Sequence, residues 1–230
     1  LYKWGRHPLL LEKVKWFGGE VRLDAYGNLY GRLNEKTKGE CLVGAIADWS
    51  LFEDYEFPTI NREYQERLHA QNYEQSERYV MAGMPTAVFS VLRDMRHMDN
   101  ALMDTVLEPD NVKAFLDKLT DLTVEIIRLC AQNGVNGIMM ADDWGTQKSP
   151  FISPQSFREL FKPAYAKVAA ACHAHYIDFI LHSCGYVLPL VDDMIEAGID
   201  VFQFDQPEAA GSTLWAKKYG KKAAFYCPVD

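Results

Sequence analysis

A histidine and a cysteine two residues apart, His182 and Cys184, are the residues of this sequence best suited to chemistry. They end the run 178–184, whose composition is typical of a strand. Because residues two apart in a strand point to the same side, the imidazole and the thiol should project together. Histidine nitrogen with cysteine sulfur suits a borderline-soft metal ion, and zinc is the usual occupant. The spacing also fits a hydrogen-bonded pair without a metal.

The third metal ligand expected from the sequence is Cys227. A catalytic zinc site generally uses three protein ligands and keeps one position open. Cys227 ends a later predicted strand, and the predicted topology places no other cysteine at the same face. Cys41, Cys130 and Cys172 fall in predicted loops or helices and are expected to be structural thiols. Five cysteines, an odd number, without a secretory signal favour reduced thiols in a cytoplasmic protein.

Two adjacent carboxylates, Asp142 and Asp143, lie at the end of another predicted strand. Neighbouring residues of a strand point to opposite sides, so only one of the two can face a site directly. A carboxylate there could act as a general acid or base, hold a substrate NH group or orient a metal-bound histidine. We therefore expect both as catalytic residues, with Trp144 beside them as a substrate contact. A capping or turn role is the alternative.

Three more polar residues are candidate substrate contacts. Gln203 and Asp205 repeat the two-residue spacing at the end of a strand and could both face inward. Structural hydrogen bonding is the alternative for this pair. Arg96, which follows the first predicted strand of the regular region, could bind a substrate carboxylate. An ion pair with Asp94 or Asp99 is the alternative for Arg96.

The elements that must position these residues alternate between strand and helix. A β-hairpin is predicted over 20–33, with the turn dipeptide at Gly27-Asn28, and a solvated helix over 61–81. Helices are predicted from 110 to Gly134, from Pro154 to about 175 with a break or kink at Pro163, from 187 to Gly198, and over 212–219. Strands are predicted over 86–91, 137–142, 178–184, 200–205 and 223–227.

This alternation implies an α/β fold with a parallel sheet. Each predicted strand begins apolar and ends polar, and in a parallel barrel those ends share the face where such enzymes carry their sites. A (β/α)8 TIM barrel has eight strands and five are predicted, so we expect a barrel that is incomplete in this chain, with N- and C-terminal parts missing. An open doubly wound sheet is the alternative, although no glycine-rich phosphate loop follows a predicted strand.

Composition excludes several classes of protein. The chain has 230 residues, 48% of them apolar, and a formal net charge of −8. It is too apolar for a disordered protein, and it has no apolar run near the roughly 18 residues that a membrane span needs. Its acidic charge, spread along the chain, argues against a nucleic-acid partner.

Several segments together resemble the uroporphyrinogen decarboxylase superfamily. They are Asn100-Ala-Leu-Met-Asp-Thr105, Glu108-Pro-Asp110, Ala141-Asp-Asp-Trp-Gly-Thr-Gln147, Ile152-Ser-Pro154, the segment 157–165, Leu181-His-Ser-Cys-Gly185, Ile195-Glu-Ala-Gly-Ile-Asp200 and Cys227-Pro-Val-Asp230. The resemblance covers most of the chain from about residue 20. It implies a single uroporphyrinogen decarboxylase-like barrel domain over 1–230, with 1–85 as an irregular N-terminal part that includes the hairpin.

The resemblance implies an enzyme and two branches of activity. Decarboxylases of the superfamily act on uroporphyrinogen without metal, using an Asp for the pyrrole NH groups and Arg residues for the carboxylates. Corrinoid-linked methyltransferases bind zinc through His-x-Cys and a distant Cys, which we expect beyond Asp230. His182-Ser183-Cys184 matches the methyltransferase motif, whereas Cys227 stands where decarboxylases have an Asn-x-Asp-Pro turn.

We therefore expect zinc-dependent methyl transfer between a small methyl donor or thiol acceptor and a corrinoid carried by a partner protein. Metal-free decarboxylation of a porphyrinogen is the first alternative, and a non-catalytic partner subunit of a corrinoid system is the second. The aromatic-rich first 80 residues could cover the barrel mouth or form the contact of a homodimer.

Overall fold

A computed structural model of the protein describes residues 19–34, 36, 39–60, 62, 65–66, 73, 76–209 and 211–228. Its first sheet is antiparallel and has the strands β1 (Glu20–Leu23), β2 (Leu29–Arg32) and β3 (Glu40–Val43), in that order. The hairpin predicted over 20–33 is confirmed, because β1 pairs with β2 and Glu20 lies opposite Arg32. Gly27 in the turn has a φ of 82°, a left-handed conformation that favours glycine.

The main sheet has five parallel strands hydrogen-bonded in chain order. They are β4 (Met81–Gly83), β5 (Gly137–Ala141), β6 (Asp178–Ser183), β7 (Val201–Phe204) and β8 (Ala224–Phe225). The helices are α1 (Val88–Arg96), α2 (Met98–Leu107), α3 (Pro109–Ala131), α4 (Pro154–Ser156, Phe157–Phe161 and Lys162–His173 in continuous succession), α5 (Leu188–Glu196) and α6 (Ser212–Tyr219). Helices lie between successive strands, which confirms the predicted α/β fold. The single-domain assignment for 1–230 stays a prediction.

The strand predicted over 86–91 is wrong, because the strand β4 comes earlier and α1 begins at Val88. The β-branched and aromatic residues of this stretch favoured a strand. Val88, Leu92 and Met95 recur at helical spacing, however, and all three are buried on one side of α1. Packing therefore overrides local propensity here. Most of the helix predicted over 61–81 lies outside the described residues, and the last residue of that range begins β4.

Of the break or kink predicted at Pro163, the break is wrong, because α4 continues through this residue, while the kink stays a prediction. Proline lacks an N–H group and its ring crowds the preceding turn of an α-helix. In α4 the turn just before the proline is a π turn, in which Lys162 N–H donates to the carbonyl of Phe157, five residues earlier. The wider turn accommodates the proline, so the helix is not interrupted.

The two faces of the main sheet have different environments. Phe179 and Leu181 of β6 are fully buried in the core, which the helices share. Residues of the opposite parity, including His182, point to the other face of the sheet. Cys184, one residue beyond β6, continues that parity. Polar side chains at the ends of β5, β6 and β7 can therefore meet on the face away from the helices. Among the described helices, none combines the length and hydropathy that crossing a bilayer requires.

Candidate metal centre

Three side chains at the ends of β5 and β6 bring an oxygen, a nitrogen and a sulfur atom together. The possible ligand atoms of Asp143, His182 and Cys184 all lie within 4.8 Å of one another. His182 Nε2 is 3.4 Å from Asp143 Oδ1 and 3.5 Å from Cys184 Sγ. The parallel register pairs Ala141 with His182, so Asp143 falls beside Cys184, whose backbone N–H donates to Asp143 Oδ1 over 2.8 Å. The imidazole and the thiol thus lie together, with a carboxylate next to them.

Two of the three separations between these atoms fit one tetrahedral ion. Zinc bound at about 2.05 Å from nitrogen, about 2.1 Å from oxygen and about 2.3 Å from sulfur would hold nitrogen and oxygen about 3.4 Å apart and nitrogen and sulfur about 3.6 Å apart. The observed separations are 3.4 Å and 3.5 Å. A mixed nitrogen, oxygen and sulfur set also suits zinc. Asp143, His182 and Cys184 could therefore hold such an ion.

The orientation of His182 leaves the correct nitrogen available. Its Nδ1 donates to Gln203 Oε1. The amide orientation of Gln203 is fixed in turn, because its Nε2 donates to Asp205 Oδ1 over 2.9 Å and a carboxylate oxygen only accepts. In the neutral imidazole, Nε2 then carries the free lone pair and faces Asp143 and Cys184. Metal-ligating histidines are commonly held by such a second hydrogen bond.

The electrostatics of this cluster favour a cation. The hydrogen bond with Asp143 raises the pKa of His182, an effect that burial opposes. The same interaction with His182 lowers the pKa of Asp143 to about 2. Burial, together with the Asp143 and Asp205 carboxylates, raises the pKa of the Cys184 thiol to about 11. The thiol therefore keeps its proton at neutral pH unless a positive charge is placed beside it.

Asp142 is placed differently from its neighbour. It is fully buried on the helix side of the sheet, where its carboxylate accepts hydrogen bonds from the backbone N–H groups of Phe89 and Ser90, the Ser90 hydroxyl and the Tyr165 hydroxyl. Burial raises the pKa of Asp142, and these hydrogen bonds oppose the shift. A buried carboxylate with four donors cannot contact a substrate. The prediction of Asp142 as a catalytic residue is therefore wrong, and its capping alternative describes the structure.

The prediction of Trp144 as a substrate contact is also wrong, because this side chain is buried too. Its ring is fully buried, stacks on Phe89 with 4.5 Å between ring centroids and meets the edges of Phe157 and Phe161. Its Nε1 donates to the Tyr165 hydroxyl over 2.6 Å. Trp144 belongs to an aromatic cluster between the sheet and its helices, so no face of the ring is open to a substrate.

Arg96 is likewise part of the core. Its side chain and that of Asp104 are each 7% exposed, and Arg96 Nε lies 2.6 Å from Asp104 Oδ2. The guanidinium also donates to the carbonyls of Ile46 and Ala47 and lies over the Trp49 ring. The Asp104 carboxylate balances the charge of the guanidinium, and these contacts contradict the prediction of Arg96 as a substrate contact. The ion-pair alternative describes it better, although the partner is Asp104.

Cys227 lies outside the ligand cluster. The cluster found among the described residues contains Asp143, not Cys227. β8 pairs Phe225 with the buried Phe202, so Cys227, two residues further, continues the parity of the helix side, and it packs against the hydrophobic core. The prediction of Cys227 as a ligand is therefore wrong. The sequence placed it at the right edge of the sheet but on the wrong face.

The remaining two predicted contacts lie beside the cluster. Gln203 is committed to His182 and Asp205, as described above. Asp205 Oδ2 is 3.9 Å from Cys184 Sγ, and the residue is exposed, so Asp205 remains a candidate for substrate contact at the rim. The residues that sequence reasoning missed are Ser90 and Tyr165, which hold Asp142. Their positions give no signal in the sequence, because both partners are far from residue 142 along the chain.

Comparison with known proteins gives the family. The sequence model of the family described as Uroporphyrinogen decarboxylase (URO-D) matches residues 62–225. The chain belongs to the uroporphyrinogen decarboxylase family. A curated relative of this family member is the methylated-thiol–coenzyme M methyltransferase of Methanosarcina mazei, which is 32% identical over 120 residues, 52% of this chain and 31% of the relative.

The fold of this uroporphyrinogen decarboxylase family member is similar to that of a solved structure. That structure is a methyltransferase from Methanosarcina mazei, with a TM-score of 0.60 and 19% identity over 92% of this chain and 60% of that one. The likeness confirms the predicted α/β barrel architecture, of which the described sheet is a part. The chain thus spans about a third of the curated relative and three fifths of the structural one.

Proposed function

We propose that this protein binds zinc through Asp143, His182 and Cys184 and takes part in methyl transfer with a corrinoid protein. The observation that carries the proposal is the convergence of one oxygen, one nitrogen and one sulfur atom at separations of 3.4 Å and 3.5 Å. Three protein ligands with one position left for substrate are typical of catalytic zinc. The name of the curated relative, a methylated-thiol–coenzyme M methyltransferase, supports methyl transfer as the reaction.

The chain's own residues prepare the site for this chemistry. Gln203 holds the imidazole of His182 with Nε2 toward the ion position, and the backbone N–H of Cys184 holds Asp143 there. The thiol of Cys184, whose pKa is about 11 without a cation, would lose its proton when the ion binds. Bound zinc would lower the pKa of a thiol acceptor or act as a Lewis acid toward a methyl donor.

The decarboxylase alternative has less support from the described residues. It requires arginines for the substrate carboxylates, and the arginine that the sequence offered, Arg96, is paired with Asp104 in the core. The groups that surround His182 are Asp143, Cys184 and Gln203, of which the carboxylate would repel an acidic substrate. A site of this kind favours a cation, and the zinc ion of the proposed methyltransferase is one.

The proposal is tested by measuring the zinc content and zinc affinity of the purified protein. We expect about one zinc per chain, as a three-ligand site would hold. Replacing single ligands in Asp143→Asn, His182→Ala and Cys184→Ser should each lower the affinity strongly. Cys227→Ser is the matched control, because it removes a thiol that lies outside the cluster, and it should bind zinc like the unmodified protein.

Two results would contradict the proposal. A well-folded protein that takes up no zinc would remove the metal. Loss of zinc in Cys227→Ser together with full binding in Asp143→Asn would show a different ligand set. Methyl transfer is then tested with zinc-loaded protein and a methylated corrinoid, by following the change in corrinoid absorbance on addition of a thiol. Zinc binding without any methyl exchange would favour the non-catalytic partner subunit.

A further inference from the structure

The adjacent carboxylates of Asp142 and Asp143 lie on opposite faces of the sheet. Asp143 faces the candidate metal position, 3.4 Å from His182 Nε2. Asp142 faces the helices and is fully buried. We propose that Asp142 and Tyr165 are positioning residues, which anchor the end of β5 on the helix side and thereby hold Asp143 at the metal. The inference rests on the proposed function for its metal, but the anchor itself can be tested without one.

The first part of the anchor is the N-terminus of α1. The residue at the N-cap position, Ala87, has no side chain that could cap the helix. Asp142 supplies the missing acceptor from the neighbouring strand, with its two oxygens 2.8 Å and 2.7 Å from the N–H groups of Phe89 and Ser90. A negative charge at a helix N-terminus is favoured by the unpaired N–H groups and the helix dipole. The position of Asp142 is thus tied to the first turn of α1.

The second part of the anchor is the Tyr165 hydroxyl, which links both neighbours of Asp143. It donates to Asp142 Oδ2 over 2.5 Å and accepts from Trp144 Nε1 over 2.6 Å. The backbone N–H of Trp144 also donates to the hydroxyl of Ser183, which lies between His182 and Cys184 in the sequence. With residues 142 and 144 fastened on one side, the residue between them is directed to the other.

This arrangement predicts an effect on the metal site from a residue outside the ligand set. Tyr165 lies on α4, and its described hydrogen bonds go to Asp142 and Trp144. Loss of its hydroxyl should let the end of β5 move, so that Asp143 Oδ1 no longer holds its place beside His182. Changes of groups that support metal ligands typically lower metal affinity about 10- to 100-fold. We expect a loss of this size.

The test compares Tyr165→Phe with Tyr219→Phe. Tyr219 is also fully buried, but its hydroxyl bonds to Asp192 on α5, away from the ligand strands. Two quantities are measured in each variant: the zinc dissociation constant, by competition with a chelator of known affinity, and the hydrogen-exchange rate of the Cys184 amide in metal-free protein. That amide donates to Asp143 Oδ1, so its protection reports the position of Asp143 directly.

We expect Tyr165→Phe to weaken zinc binding about 10- to 100-fold and to speed exchange at Cys184, while Tyr219→Phe changes neither. A folded Tyr165→Phe with unchanged exchange at Cys184 would overturn the inference. If the unmodified protein binds no zinc, the proposed function fails, and exchange at Cys184 still decides the anchor. Should Tyr165→Phe not fold, Ser90→Ala removes one donor to Asp142 and should produce a smaller change in the same direction.

Discussion

Gly185 lies where the loop after β6 meets the loop after β5, and its replacement by alanine should destabilise the protein. Its φ is +78°, and a Cβ atom at this position would lie 2.3 Å from the carbonyl oxygen of Gly145 and 2.6 Å from that of Thr146. The loops are also joined by hydrogen bonds from Tyr186 N to Thr146 O and from Gly145 N to Cys184 O. An added methyl group would therefore push apart the loop after β5 and the loop after β6.

The magnitude follows from two separate effects. A left-handed conformation disfavours alanine by about 1–2 kcal/mol. Forcing backbone atoms apart in a packed region typically costs about 1–3 kcal/mol more, so Gly185→Ala should lose about 2–5 kcal/mol of unfolding free energy. Gly211→Ala is the control, because Gly211 also has a positive φ, +84° with a ψ of 116°, and the described residues place no atom within 4 Å of the added Cβ. It should show a conformational cost of the added methyl group without a contact between backbone atoms.

The assay is equilibrium urea unfolding of both variants and the unmodified protein, followed by zinc titration of the folded proteins. The difference between the two variants measures the contact between the loops, and we expect about 1–3 kcal/mol. Gly185→Ala should also bind zinc more weakly, since the loops separate at Asp143 and Cys184. Equal losses of stability in the two variants, within about 0.5 kcal/mol, would refute the close approach on which this reasoning depends.

Three further predictions concern residues away from the ligands. Arg96→Met should lower the unfolding free energy by about 3–5 kcal/mol, because it leaves the Asp104 charge buried without its partner. Urea unfolding of the double variant Arg96→Met with Asp104→Leu should show that part of this stability is recovered. A loss of substrate affinity without a loss of stability would contradict this prediction. The Thr86 hydroxyl is buried and has no partner among the described residues, so Thr86→Val should raise the unfolding free energy by about 1 kcal/mol, and a fall would show a hidden partner. Burial raises the pKa of Cys130 to about 11 and that of Cys172 to about 12. Both should resist a thiol reagent at pH 8 in native protein and react in urea, and rapid native labelling would contradict their burial.

The sequence predicts the fold best where strand composition and helix spacing agree. The strands predicted over 137–142 and 178–184 match β5 and β6 to within a residue. The prediction fails over 86–91, where the signal that begins α1 is not local. A capping residue normally stands next to its helix in the sequence, whereas this helix is capped by Asp142, 53 residues beyond Phe89. Only the assembled sheet brings the two together.

The site is predicted in part, and the errors have one physical cause. His182 and Cys184 could be paired from their spacing, because the two-residue period of a strand applies within one strand. Placing residues of different strands together also requires the register between them. The register between β5 and β6 brings Asp143 to His182, while that between β7 and β8 turns Cys227 to the helix side. Asp143, which was expected as a catalytic residue, thus stands where a ligand was expected, and Cys227, which was expected as a ligand, is half-buried and packs against the core.

A ligand set with Asp143 in place of the predicted ligand Cys227 keeps the charge of the proposed site. A set of one histidine and two thiolates carries two negative charges, which balance a divalent ion, and the set of Asp143, His182 and Cys184 carries the same two charges when Cys184 is deprotonated. The carboxylate is a harder ligand than a thiolate, so preference for the most thiophilic ions should fall while zinc, which accepts oxygen, nitrogen and sulfur, remains suited. All three ligands come from the ends of two neighbouring strands, β5 and β6. The proposed ligand set therefore lies within the described residues, and the proposed anchor of Asp142 and Tyr165 connects it to the helices.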